Sequence, residues 1–165
     1  MKSFSENVVF VDTEFSTLDP YHGEILSIGL VKASGEELYL ELEYDGLTNA
    51  WVKENILPTL TGKKVSREEA IKRIKEFVGD TKPFMVGYVN QYDTIYLYKL
   101  FGVENQPFHW LPIDFASILF SVGKNPDEIL EYAEELKIDT GKYRQHHALD
   151  DAKLLREVYL KHFGQ

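Results

Sequence analysis

Cysteine is absent from the 165-residue chain, which excludes disulfide bonds, thiolate-ligated metal sites and cysteine nucleophiles. Long apolar runs are absent too: no segment approaches the about 18 consecutive apolar residues of a membrane-spanning helix. The first residues contain no apolar segment of signal-peptide length. The sequence therefore predicts a cytoplasmic protein that does not enter a membrane.

Basic residues are in the minority, with 18 Lys and Arg against 27 Asp and Glu, for a net charge of −9. This acidity argues against binding nucleic acid by counterion release alone. It leaves open a nuclease that holds phosphate through bound metal, because cations reverse local electrostatics. The length and the lack of any Pro/Gly/Ser linker predict one domain over residues 1–165.

The pattern of apolar residues predicts strands first and a helix–strand alternation afterwards. Strands are predicted at 8–15, 24–32, 36–43, 84–88 and about 111–113. Helices are predicted at 48–57, 67–78, 91–101, 115–121, about 127–136 and about 150–163. The first three strands suggest an antiparallel meander. The expected fold is α/β, with a mixed five-stranded sheet flanked by helices.

Two acids interrupt the apolar face of the first strand. The period of two puts Val8, Phe10, Asp12 and Glu14 on one side of that strand. Neighbouring carboxylates repel, and burying them is costly without a cation. The alternative is a strand that simply emerges into solvent at Asp12.

Two further acids lie on the apolar faces of helices. Asp93 precedes Tyr96, Leu97 and Leu100 at i+3, i+4 and i+7, and Asp151 stands in the same relation to Leu154, Leu155 and Val158. Asp150 instead shares a face with charged residues. The alternative for both acids is that a carboxylate in the first turn favours the helix dipole.

Carboxylate clusters without cysteine suit Mg²⁺ or Mn²⁺. Two such ions, about 3.5–4 Å apart, can clamp the attacking and leaving oxygens of a phosphodiester. A single structural Ca²⁺ is the alternative, although the chain lacks an Asp-x-Asp-x-Asp-Gly loop.

Two histidines, His146 and His147, stand before the last helix. Histidine suits the removal of a proton from an attacking water because its pKa is near neutral. His146 could reach Asp151 only from a loop, whereas His147 would share the Asp151 face if the helix began earlier. Geometry alone does not choose between them.

Three motifs together resemble the DEDDh 3′–5′ exonucleases, a superfamily of ribonuclease H-like fold that includes DnaQ-like proofreading exonucleases, ribonuclease T and oligoribonuclease. The first motif is matched by Val11-Asp12-Thr13-Glu14-Phe15, the second by Tyr92-Asp93, and the third, His-x4-Asp, by residues 146–151. The resemblance extends over residues 8–160.

This resemblance implies that Asp12, Glu14, Asp93 and Asp151 hold two divalent ions, Mg²⁺ or Mn²⁺. It selects His146 as the base and implies release of 5′-mononucleotides. It also implies that Thr13, Glu14 and Phe15 contact the terminal nucleotide, while Tyr88 is expected to line the cleft. Packing of Phe15 in the core is the alternative.

The sequence departs from the family pattern at one position. Many members have Asn four residues before the second-motif Asp, where this chain has Val89, with Asn90 following it. The segment Trp51–Pro58 resembles a bacterial subgroup of ribonuclease T-like exoribonucleases, typically dimeric. RNA 3′ ends and a homodimer are therefore expected. The alternatives are an exodeoxyribonuclease acting on single-stranded DNA and a non-catalytic nucleic-acid- or metal-binding domain.

Two residues outside the motifs have structural expectations. Trp51 is expected to bury its side chain beneath its helix, rather than to stack on a base. Asp114 is expected to cap the helix at 115–121.

Overall fold

The computed structural model describes residues 3–164 and contains one six-stranded mixed sheet. Its strands lie in the spatial order β4-β3-β2-β1-β5-β6. They are β1 Val8–Phe15, β2 Ile25–Lys32, β3 Glu37–Leu42, β4 Lys64–Val65, β5 Phe84–Gly87 and β6 Ile113–Asp114.

The first three strands form the predicted antiparallel meander, and β5 and β6 extend the sheet in parallel from β1. The α/β class and the mixed sheet, consistent with a ribonuclease H-like fold, are confirmed. The prediction of five strands was one short, because β4 adds a parallel edge strand beside β3. A strand of two residues is too short to show a period of two.

Six α-helices surround the sheet, and none in residues 3–164 is long and apolar enough to cross a membrane. They are α1 Ala50–Asn55, α2 Arg67–Val78, α3 Gln91–Phe101, α4 Phe115–Ser121, α5 Ile129–Glu135 and α6 Ala148–Phe163.

Local sequence signals explain where several helices begin and end. The side chain of Ser66 accepts a hydrogen bond from Glu69 N–H before α2, and Asp114 accepts one from Ser117 N–H at α4, as predicted. The helix expected over 48–57 ends earlier. A 3₁₀ turn, Leu57–Thr59, follows it, with Pro58 in its first turn.

The sheet has an apolar layer on each face. On one face α2 and α3 cover residues such as Val11 and Ile28, and on the other α4 and α6 cover Phe10 and Val86. Helix α6 approaches the sheet so closely that a Cβ on Gly29 would lie 2.3 Å from the Ala148 carbonyl oxygen. This contact brings the first turn of α6, with Asp151, over the end of β1, because Gly29 pairs with Asp12.

Candidate active site

Three of the four predicted acids meet where α6 begins above β1. One carboxylate oxygen from each of Asp12, Glu14 and Asp151 lies within 4.8 Å of the others. All three side chains are partly buried. The period of two along β1 and the 3.6-residue period of α6 account for the convergence, since each element directs its acids to the same side as its apolar residues.

Burial raises the pKa of every acid in this group, and the charges of neighbouring acids add to this effect. Desolvation is the largest cause at Asp12, followed by the charges of Asp93, Asp151 and Glu14. The same causes raise the pKa of Glu14 to about 8, and burial raises that of Asp151 to about 7. The cluster therefore disfavours its own full ionisation, and a bound cation would relieve this cost.

Asp93, the fourth acid, lies outside this group of three, but its charge raises the pKa of Asp12 and Glu14. It is buried at the start of α3, and its Oδ1 accepts hydrogen bonds from Thr13 N–H at 2.9 Å and from Thr13 Oγ1 at 2.6 Å. Burial raises the pKa of Asp93 to about 6 against the opposing effect of these bonds. The contact that the structure shows for the Thr13 hydroxyl is thus to Asp93, and a contact with substrate stays a prediction.

The two histidines have different positions. His146 is exposed, in a turn before α6, with a positive φ of 56°. This loop position is the one that the His-x4-Asp match requires. Thr59 Oγ1 lies 2.8 Å from the Ile56 carbonyl oxygen and 3.2 Å from the His146 carbonyl oxygen, so the 3₁₀ turn after α1 contacts this loop.

His147 is buried and takes the N-cap position of α6. Its side chain accepts from Asp150 N–H at 3.4 Å, and its backbone N–H donates to Asp151 Oδ2 at 3.1 Å. Burial, and then the charge of Arg144, lowers its pKa. His147 therefore supports the loop and orients Asp151, instead of sharing the Asp151 face.

Two cavities are lined by residues of the predicted site. The first, of about 330 Å³, is lined by Phe15, Thr17, Leu18, Asn49, Trp51 and Val52. The second, of about 310 Å³, is lined by Asp12, Tyr88, Ile129, Leu130, Gln145, His146, Asp151, Leu154 and Leu155. Tyr88 thus lies in the cleft, where its hydroxyl donates to the Pro126 carbonyl oxygen.

The first cavity corrects one expectation and refines another. Trp51 is 50% exposed, so the expected burial of its side chain was wrong. Its ring meets the His146 ring edge-on, with centroids 5.1 Å apart. Phe15 stacks on Tyr96 at 4.7 Å and also forms part of the cavity wall, and its contact with a nucleotide stays a prediction. Sequence reasoning missed the contact between Trp51 and His146, which joins residues far apart in the chain.

The departure from the family pattern has a structural counterpart. Val89 has a φ of 54°, and Asn90 is buried with its Nδ2 donating to the Ile113 carbonyl oxygen at 2.9 Å. Asn90 thus links the start of α3 to β6, and this hydrogen bond engages its side-chain amide.

Comparison with solved structures places this arrangement among known folds. E. coli exonuclease I in complex with a dA16 oligonucleotide superposes with a TM-score of 0.71 at 16% identity, over 94% of this chain and 40% of that chain. The complex with a 5cy-dT13 oligonucleotide gives 0.71 at 16% identity, over 93% and 39%. A zinc-bound complex with single-stranded DNA gives 0.69 at 15% identity, over 92% and 39%. The chain shares its fold with exonuclease I.

The similarity covers only part of each exonuclease I chain. The chain spans about two fifths of the length of these exonuclease I chains. No protein-family model and no curated protein matches the sequence. The expected fold is confirmed, whereas the expected preference for RNA and the expected homodimer have no support in these comparisons, whose complexes contain DNA.

Proposed function

We propose that this chain is a metal-dependent exonuclease that removes nucleotides from the 3′ end of single-stranded nucleic acid, with DNA as the favoured substrate. The observation that carries the proposal is the convergence of Asp12, Glu14 and Asp151, two of which line an open cavity together with the exposed His146. The shared fold with exonuclease I supports it, and the resemblance of the three motifs supplies the 3′–5′ polarity.

The donor set fits divalent cations. Partly buried carboxylates with raised pKa values lose a repulsive interaction when a cation binds, and oxygen ligands suit Mg²⁺ or Mn²⁺. Asp12, Glu14 and Asp151 would hold the metal together with Asp93. A bound divalent ion would supply charge stabilisation at the phosphate and a more acidic water.

The residues around the cluster have separate proposed roles. His146, on its exposed loop, takes the proton from the attacking water, and the edge of Trp51 limits where its ring can lie. Thr13 fixes Asp93 through two hydrogen bonds, and the backbone N–H of His147 fixes one oxygen of Asp151. Asp93 and Asp151 are thus oriented before any substrate arrives, which preorganises this part of the site.

The cavity beside Phe15 is the proposed site for a nucleobase. Its walls, Phe15, Leu18 and Trp51, are apolar or aromatic, and a base that stacks on an aromatic side chain gains about 1–3 kcal/mol. Tyr88, in the second cavity, is the proposed contact on the other side of the cluster. Stacking of this kind tolerates different bases, so we expect weak base preference.

The decisive experiment digests matched 5′-labelled DNA and RNA oligomers with Mg²⁺ and with EDTA. We expect stepwise shortening from the 3′ end, faster on DNA, and none with EDTA or with a 3′-phosphate. Faster digestion of RNA would reverse the substrate assignment, and cleavage of a circular strand would indicate an endonuclease.

Metal binding is tested separately by melting. Mg²⁺ or Mn²⁺ should raise the melting temperature, because ions that bind only the folded state stabilise it. Asp12→Asn should abolish this rise, whereas Asp127→Asn, at an exposed acid outside the cluster, should leave it unchanged. A metal-induced rise without cleavage of any oligomer would favour the non-catalytic alternative.

A further inference from the structure

A further carboxylate, that of Glu41, is buried on the face of the sheet that carries Asp12 and Glu14. Glu14 on β1 pairs with Ser27 on β2, and Ser27 pairs with Glu41 on β3. Directly opposite residues present their side chains to the same face, so these three form a polar row across the sheet. Glu41 is only 2% exposed, and its Oε2 has no hydrogen-bond partner among the residues that the structure describes.

The other carboxylate oxygen of Glu41 binds two donors from different parts of the chain. Glu41 Oε1 accepts from Gly62 N–H at 2.8 Å and from the Tyr39 hydroxyl at 3.2 Å. Burial raises the pKa of Tyr39 to about 12, so this hydroxyl keeps its proton at neutral pH. A Cβ on Gly62 would lie 3.0 Å from Glu41 Oε1, which shows how closely this segment approaches the carboxylate.

Both donors lead to the loop that carries His146. Gly62 follows the 3₁₀ turn whose last residue is Thr59. The Thr59 hydroxyl lies between two carbonyl oxygens, that of Ile56 at 2.8 Å and that of His146 at 3.2 Å. Tyr39 stacks on the ring of His147, with centroids 4.6 Å apart and planes 29° apart. Glu41 is therefore connected to His146 through residues 59–62, and to His147, the N-cap of α6, through Tyr39.

We propose that Glu41 is a positioning residue for His146. It joins the segment 59–62 and the Tyr39–His147 stack to one buried carboxylate, and these contacts define where the exposed His146 loop lies above the acids. A buried carboxylate with an unpartnered oxygen costs stability, and a well-packed apolar side chain would avoid that cost. The inference rests on the proposed function, since it assigns a role relative to the proposed base.

The experiment compares two substitutions at this position in the full chain. Glu41→Gln keeps an oxygen acceptor for Gly62 and Tyr39, and we expect kcat close to that of the unsubstituted protein. Glu41→Met removes the acceptor at similar volume. Because small misplacement of a catalytic group can cost about 10²-fold, we expect Glu41→Met to lower kcat by about 10–100-fold.

Two readouts and one control variant separate positioning from general damage. KM for the oligomer and the Mg²⁺-induced rise in melting temperature should both stay unchanged in Glu41→Met, since neither the cavity walls nor the four acids are altered. Glu43→Met, at an exposed acid just beyond the end of β3, is the matched control and should leave kcat unchanged. If folded Glu41→Met retains full kcat, or if Glu41→Gln loses as much as Glu41→Met, the proposal is wrong.

Thr59→Val tests one route even if Glu41→Met fails to fold. It removes the hydroxyl that contacts His146 and leaves Glu41 intact, so a lower kcat with an unchanged KM is expected. An unchanged kcat in Thr59→Val would overturn the route through residues 59–62. A different outcome is that neither the unsubstituted protein nor any variant cleaves an oligomer, although Glu41→Met melts normally and responds to Mg²⁺. In that case the proposed function is wrong, and the positioning role is wrong with it.

Discussion

Thr13 binds Asp93 through both its backbone N–H and its hydroxyl, and both bonds end on the same carboxylate oxygen. The two residues are 80 positions apart, so this contact joins β1 to the start of α3. Thr13 stands between Asp12 and Glu14 in the sequence, but its side chain extends to the opposite face of β1. It is buried there because it meets Asp93.

Thr13→Val should remove the shorter of these bonds at nearly constant volume. Hydrogen bonds to charged groups contribute about 1.5–3 kcal/mol, and we expect the free energy of unfolding to fall by about that amount near neutral pH. Urea unfolding measures the change. Thr81→Val, which removes an exposed hydroxyl bonded to Asn7, is the control and should cost less than about 0.5 kcal/mol. Equal losses of unfolding free energy in the two variants would show that the bond to Asp93 stabilises the fold no more than an exposed hydrogen bond does.

The raised pKa values predict how metal-free stability depends on pH. The folded pKa values of Glu14, Asp151 and Asp93, at about 8, about 7 and about 6, exceed their ordinary values of 4.5, 3.8 and 3.8. Between about pH 4 and pH 8 the folded state binds more protons than the unfolded state, so these groups lose their stabilising effect as the pH rises. We expect metal-free protein to lose stability through this range.

Glu14→Gln isolates the contribution of the cluster to this dependence. The lowered pKa of His147 acts in the opposite direction, because that group favours the folded state as the pH rises past its ordinary value. The difference between unsubstituted protein and Glu14→Gln cancels the His147 contribution. Unfolding in EDTA at pH 5 and pH 8 should show a smaller decline in Glu14→Gln. An identical decline would mean that folding does not raise the pKa of Glu14.

The sequence predicted the elements well because their signals are local. The period of two placed Asp12 and Glu14 on one face of β1, and the spacing around Asp93 and Asp151 placed these acids on buried helix faces. Both patterns depend on residues within one or two turns or strand repeats. The strand β1 and the helix α3 have the predicted bounds for the same reason.

Contacts between distant segments could not be read in this way. The half-exposed position of Trp51 depends on the His146 loop, about 95 residues later, and the burial of Glu41 depends on Gly62 and on the approach of α6. The alternation along β3 places Glu41 on the face of Glu37 and Tyr39, opposite the three leucines, so the local pattern predicts an exposed side chain. Only its distant partners explain its burial and give it a role. The choice between His146 and His147 required the motif match, because the backbone conformation of the loop is set by tertiary contacts.

Val89 has a strained backbone, at the position where many of the DEDDh exonucleases that this sequence resembles have Asn. Its φ of 54° lies in the left-handed region, which costs an ordinary L-residue about 1–2 kcal/mol and which Asn tolerates better. Val89→Asn should therefore raise the free energy of unfolding by about 1 kcal/mol, or the melting temperature by about 2–4 °C. Val103→Asn, at an exposed valine without positive φ, is the control and should produce no gain. A loss of stability in Val89→Asn would show that the contacts of the valine side chain outweigh the strain.

Substitution of His146 should lower activity, and substitution of the adjacent His147 should lower stability. His146 is exposed and contributes no side-chain hydrogen bond within residues 3–164, so His146→Ala should leave the melting temperature nearly unchanged. A positioned general base contributes about 10²–10⁴-fold, and kcat should fall by about that factor. The Mg²⁺-induced rise in melting temperature should persist, because all four acids remain.

His147→Ala should show the opposite pattern. It removes the N-cap of α6 and the ring that stacks on Tyr39, and loss of an N-cap costs about 0.5–2 kcal/mol. His147→Asn keeps a capping acceptor and should recover part of that stability, while His22→Ala, at an exposed histidine paired with Asp19, controls for loss of an imidazole. If folded His147→Ala loses more kcat than His146→Ala, the base is His147 and the motif match is one residue out of register. The loop geometry argues against that outcome, because the backbone N–H of His147 already binds Asp151 and its ring packs away from solvent against Tyr39.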